Sequence, residues 1–186
     1  CARCCRPASA AIEDSVLKRT ASLLFSALLC AASFAATAHD FVQPRPGLHT
    51  GGQPSRDDLA RLQAEGVRTV IDLRAPQEDR GYDQAAEVRR LGMDYIALPI
   101  AGKDDITPAN AAALHALLKE RDGEVLLHCA SGNRVGALLA PGAAQVDGAS
   151  TEEALALGRA AGLKSLEPAV VERLAPPKQT GNTTAD

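Results

Sequence analysis

Between residues 40 and 175 the chain alternates short apolar runs with longer stretches whose apolar positions recur every three or four residues. Residues 67–73, 95–100 and 124–127 read as strands, the first rich in β-branched side chains. Ser55, with Asp58 three positions on and Leu59 and Leu62 on one face, opens a helix that Gly66 ends. A second helix spans about 83–91, with Gly92 in the stop position. Thr107-Pro108 places a cap before a proline in the first turn. The helix that follows runs to about Arg121, with Ala111, Leu114, Leu117 and Leu118 on its apolar side. A further helix starts near Asn133. Pro141 is expected to kink or break it near Leu139 and Ala140, since an interior proline costs ~3 kcal/mol. Ser150 and Glu153 form a capping-box pattern for a helix to about Ala161, and Ser165 with Pro168 opens a last one to about Leu174. No internal repeat is present. Strands alternating with helices predict an α/β fold: a mostly parallel central sheet with helices on both faces.

The two ends read differently. Lys18-Arg19 precedes the apolar run 21–36, and Ala36-Thr37-Ala38 supplies a small-x-small pattern, as in a cleaved export signal. The run is shorter than the roughly 20 residues of a membrane span. Residues 1–38 are therefore expected to be a signal peptide with an upstream extension. Val16 or Leu17 is the expected start of the precursor. Residues 39–175 form the domain and 176–186 a disordered tail. The expected location is periplasmic or secreted, with no membrane attachment after cleavage.

Composition narrows the chemistry. The chain is 46% hydrophobic and 23% charged, as a globular protein requires. Aromatics are only 3%, which leaves no stacking platform for single-stranded nucleic acid. Cleavage after Ala38 would remove four basic and two acidic residues and move the net charge from -3 to -5, again unsuited to nucleic acid. It would also remove every cysteine but Cys129, so no internal disulfide is expected. No clustered His/Cys set suggests a metal, and no cofactor is called for.

The most informative segment is 125–137, in which a strand runs through His128 into Cys129 and Arg134 follows at the start of a helix. Gly132 permits unusual backbone angles in the short loop between. Such a loop can turn the backbone N–H groups of Ala130, Ser131, Gly132, Asn133 and Arg134 inward as an anion cradle. The helix N-terminus adds about half a positive charge. Arg134 adds a full one, with a fork shaped for oxyanions. Helix N-termini and neighbouring cations favour thiolate over thiol, which would make Cys129 a nucleophile where an anionic substrate docks. Among the other polar residues, Arg74 is expected to pair with Asp72 or Glu78, His49 to serve a loop, and His115 to be structural or exposed.

His128-Cys129-x4-Arg134 behind a strand resembles the active-site loop of the cysteine-dependent phosphatase and rhodanese group. Residues 50–55 (Thr-Gly-Gly-Gln-Pro-Ser) and 66–74, which end in Ile-Asp-Leu-Arg, resemble the opening of small tyrosine and dual-specificity phosphatase-like domains. The chain is most similar to the bacterial beta-lactamase-hydrolase-like phosphatase domain family, over about residues 40–175. That resemblance implies a hydrolase of phosphate monoesters, its partner a phosphorylated small molecule or a phosphoprotein. Cys129 would form a phosphocysteine, the loop and Arg134 would hold the phosphoryl oxygens, and His128 would support the thiolate. Asp104 or Asp105 would act as the acid. Tyrosine phosphatases space Cys and Arg by five residues and follow the Arg with Ser or Thr. Here the spacing is four, as in rhodaneses, and Val135 follows. A rhodanese-like sulfurtransferase with a Cys129 persulfide, and a non-catalytic anion or phosphoprotein binder, stand as alternatives.

Overall fold

The computed structural model describes residues 40–175. The signal peptide and tail expected at the two ends lie outside the described residues. The described residues open with a hairpin that the sequence pattern does not mark: β1 (Val42–Arg45) pairs antiparallel with β2 (Leu48–Gly51). Pro44 breaks the strand signal there, yet β1 lies at the sheet edge, where a missing N–H is tolerated.

The remaining elements follow the expected alternation. They are α1 (Arg56–Ala64), β3 (Val67–Asp72), α2 (Gln84–Arg90), β4 (Asp94–Ala97), α3 (Pro108–Lys119), β5 (Glu124–His128), α4 (Asn133–Val146), α5 (Thr151–Ala160) and α6 (Glu167–Leu174). The sheet order is β1-β2-β5-β3-β4, parallel except for the β1 edge. Capping boxes form at Ser55/Asp58 and Ser150/Glu153, and Thr107 caps α3 with Pro108 in its first turn. Ser165 does not cap α6; its hydroxyl accepts a hydrogen bond from the Asn133 side chain. α4 runs unbroken through Pro141, contrary to the expected break. Residues 135–143 of that helix are all buried. The tertiary contacts around them outweigh the one backbone bond that proline removes.

Alternation along the strands divides the core. Val125, Leu127 and Cys129 face one way, with Ile71 and Leu73, under α3, α4, α5 and α6. Leu126 and Val70 face the other way, with Leu59 and Leu62 of α1 and Val88 of α2. The helix layers therefore cover both faces. Among the described residues no helix is long and apolar enough to cross a membrane, and no three His, Cys, Asp or Glu side chains gather as a metal site.

Candidate active site

β5 delivers His128 and Cys129 to the carboxyl edge of the sheet, where ligands of open parallel sheets bind. The next turn is built on Gly132, whose φ of +85° suits glycine alone without strain. The Gly132 N–H donates to the Cys129 Sγ at 3.2 Å, so the loop curls around the sulfur. The first helical bond of α4 runs from Gly136 N–H to the Gly132 carbonyl at 3.2 Å. The N–H groups of Asn133, Arg134 and Val135 thus precede the helical ladder, as first-turn donors do. Ala130 and Ser131 are exposed at the lip, while Cys129 is 1% exposed beneath them.

Glycines hold the loop from behind. Gln53 N–H donates to the Ala130 carbonyl at 3.3 Å, and Cys129 N–H to the Gly51 carbonyl at 3.3 Å. A side chain at Gly52 would meet the Ala130 carbonyl oxygen at 3.0 Å. Gly162, in the turn after α5, would meet the Gly132 carbonyl oxygen at 3.2 Å. That turn also takes the Asn133 side chain. Asn133 Nδ2 donates to Ser165 Oγ at 2.7 Å, and its Oδ1 accepts from the Lys164 N–H at 2.8 Å. Both ends of the Asn133 side-chain amide are therefore tied to that turn.

Arg134 is held by a carboxylate that lies 56 residues earlier. Its Nη1 donates to Glu78 Oε1 at 2.5 Å and to the Ile100 carbonyl at 2.7 Å; its Nη2 donates to Glu78 Oε2 at 2.8 Å. The Nε–H and the second Nη2–H form a two-pronged edge of the kind that grips oxyanions, and the guanidinium also meets Cys129. The Arg134 pKa is raised: the Glu78 hydrogen bond is the largest cause, burial opposes it, and the neighbouring Cys129 adds to it. Glu78 is correspondingly pulled down to about 2, first by the Arg134 hydrogen bond against a burial penalty.

His128 is fully buried on the face opposite the Cys129 thiol. Its Nδ1 lies 3.3 Å from the Cys129 carbonyl and its Nε2 lies 2.7 Å from Gln84 Nε2. Burial pushes it down to about 4, against the attraction of Asp72 3.8 Å away, so the ring is neutral near pH 7. It meets the loop at the Cys129 backbone carbonyl, from the face of the sheet opposite the thiol.

The two candidate acids separate. Asp105 Oδ2 accepts from the Ala101 N–H at 2.7 Å, and its carbonyl accepts from Asn110 Nδ2, so it ties down the turn before α3. Asp104 is exposed with no such bond, four residues beyond the carbonyl that Arg134 holds. Arg74 pairs with Glu78 at 3.2 Å as expected, while Asp72 accepts its backbone N–H and bonds Arg80 and Tyr95. His49 belongs to β2 rather than to a loop and pairs with Glu124; His115 on α3 pairs with Asp147 at 3.0 Å. The sequence does not mark Gln53, Glu78 or Gln84 as site residues. The motif stretches contain Gln53 and adjoin Glu78, but nothing local marks Gln84.

A parallel sheet whose central strand feeds a cysteine loop into a helix N-terminus defines the tyrosine and dual-specificity phosphatase class of fold. Residues 37–168 match the family described as DSP-PTPase phosphatase fused to NAD+ kinase, and the chain belongs to it. Beta-lactamase hydrolase-like proteins of Xylella fastidiosa and Agrobacterium fabrum are 35% and 32% identical to it over 91 residues. Each match covers 47% of this chain and 21% of the relative, so the chain spans about a fifth of their length. The fold is similar to a putative phosphatase of Neisseria meningitidis, with a TM-score of 0.60 at 22% identity, over 72% of this chain and 94% of that one. It is also similar to P. aeruginosa TpbA solved in complex with pTyr. There the TM-score is 0.56 at 22% identity, over 75% of this chain and 90% of that one.

Proposed function

We propose that this protein hydrolyses phosphate monoesters through Cys129. The observation that carries the reading is the Gly132 N–H aimed at the Cys129 sulfur inside a loop closed by Arg134, whose guanidinium also meets that sulfur. The same donors that hold the sulfur can hold oxygens on an attached phosphorus. In the reaction the Cys129 thiolate attacks phosphorus as the ester oxygen departs. Arg134 Nε–H and Nη2–H take two phosphoryl oxygens, and loop N–H groups take the charge that builds on them. Asp104 gives its proton to the leaving oxygen and then accepts one from the water that cleaves the phosphocysteine. The pTyr held by TpbA supports a phosphorylated side chain or small ester as substrate. The leader-like residues 18–38 extend the proposal to an exported protein, in which the mature chain begins at His39.

A second reading draws on the four-residue spacing. The ring is one residue shorter than in tyrosine phosphatases, and its Gly132 N–H reaches the sulfur itself. A persulfide on Cys129 would receive that donor directly. Two assays on the full chain separate the readings, one with an aryl phosphate and one with thiosulfate and cyanide, each with a Cys129→Ser control. Cysteine-dependent phosphate release is the expected result. Thiocyanate alone would assign sulfur transfer. Anion binding that survives Cys129→Ser, without turnover in either assay, would leave a binding module.

A further inference from the structure

Arg74, at the carboxyl end of β3, is 8% exposed and spreads its guanidinium in three directions. Nη1 donates to Gln53 Oε1, Nε to Glu78 Oε2 at 3.2 Å, and Nη2 to the Asp79 carbonyl at 2.7 Å. An arginine side chain has donors only. Gln53 must therefore turn its oxygen toward Arg74 and its NH2 toward Gln84, whose Oε1 lies 3.1 Å from Gln53 Nε2. Gln84 is then committed as well, with its NH2 facing His128 Nε2 at 2.7 Å. That nitrogen must be bare to accept, so the neutral ring carries its proton on Nδ1, which faces the Cys129 carbonyl. The opposite tautomer would reverse both amides and set an NH2 against the arginine. An Arg74 N–H and a Gln53 N–H would then face each other without an acceptor.

The second branch is shorter. Glu78, held by Arg74 and by the Ala75 N–H at 2.8 Å, grips Arg134 with both oxygens. One arginine thus reaches the first and the last residue of the loop along two different paths.

We propose that Arg74 is a positioning residue for both ends of the Cys129–Arg134 loop: at the cysteine through Gln53, Gln84 and His128, and at the arginine through Glu78. Its effect on rate rests on the phosphatase reading; its effect on the His128 proton does not. Each amide in the relay can turn over only if the next one does. Gln53 Nε2 also donates to the Pro54 carbonyl at 3.2 Å, which favours the same orientation, so the donor on the loop carbonyl at Cys129 is selected by Arg74 together with that carbonyl.

The test is ¹⁵N–¹H NMR of the histidine rings in the full chain labelled at histidine, which has four. His39, His49 and His115 are assigned by substitution. The wild type should show His128 as a single Nδ1–H tautomer near neutral pH. Arg74→Met should give a mixture of tautomers, and Gln84→Glu should place a proton on Nε2, because a carboxylate can only accept. If Arg74→Met does not fold, Gln53→Met cuts the same link and leaves the cation in place. Folded Arg74→Met should also lose about 100-fold in aryl phosphate kcat, the scale set by ångström misplacement of a reacting group. Inorganic phosphate should bind it more weakly. An Nε2–H wild type, or an unchanged Nδ1–H signal in the folded Arg74→Met or Gln53→Met variant, overturns the proposal. If the wild type neither binds phosphate nor cleaves the ester, the phosphatase reading fails while the tautomer signals still decide the relay.

Discussion

Glu78 and His128 carry the acid response of the site with opposite chemistry. His128 is neutral in the fold, with its titration pushed down to about 4, whereas an unfolded histidine protonates near 6.5. The stability it contributes is whole above pH 6.5 and is lost as the pH falls toward 4. Glu78 is ionised in the fold down to about 2, against an ordinary 4.5. Its contribution is whole above 4.5 and is lost between there and 2. The thermal midpoint followed by circular dichroism should therefore be level just above pH 6.5 and fall in two stages below it, and Glu78→Gln should shrink the lower stage, to which Glu87, Glu153 and Glu167 also contribute, and leave the upper one. The two aspartates before α3 differ just as plainly. Asp104→Asn should slow cleavage of an alkyl phosphate by about 10²–10⁴-fold and spare an aryl phosphate, whose leaving group needs no proton. Asp105→Asn should show no such dependence on the leaving group in the same steady-state assay. The sequence exposes Cys129, Arg134 and His128 because seven consecutive residues hold them. It conceals Glu78 as the grip on Arg134 and Gln84 as the neighbour of His128, because those pairs meet only when distant strands and helices assemble.

At the scale of elements, α4 and α5 approach each other through glycine. A Cβ at Gly136 would lie 2.3 Å from the Gly158 carbonyl oxygen and 2.5 Å from the Leu163 nitrogen, both main-chain atoms that cannot swing aside. Gly136→Ala should cost at least ~1–3 kcal/mol and lower the denaturant midpoint in equilibrium unfolding. Gly102→Ala is the control. Its backbone is extended and nothing lies within 4 Å of the added carbon, so the midpoint should hold. Helix starts are legible here because their signals are local: serine or threonine caps, an acid three residues on, a proline in the first turn. The β1–β2 hairpin escapes because its strands are four residues each and lack a β-branched run. α4 departs from expectation for a related reason. Propensity counts the proline once, whereas the buried stretch 135–143 counts every neighbour it touches.

Across the whole molecule the two helix layers divide the labour. The α3–α6 side stores the apolar mass and carries the sulfur on its face of β5. The α1–α2 side contributes Gln84 and receives His128. β3 runs between them and leads, two residues past its end, to the arginine that serves both. The alternating pattern of the sequence is enough to predict these layers, since it fixes which residues of each strand face alike. It does not show how the turn between α5 and α6 returns to the loop. Gly162 lies flat against Gly132 there, and Asn133 is fastened to residues 164–166. The heptapeptide from His128 to Arg134 is consequently not a portable module. Grafted onto another strand and helix, it would keep its letters and lose the wall that shapes it. The smallest transplantable unit must bring the glycines of β2, the carboxylate after β3 and the α5–α6 turn with it.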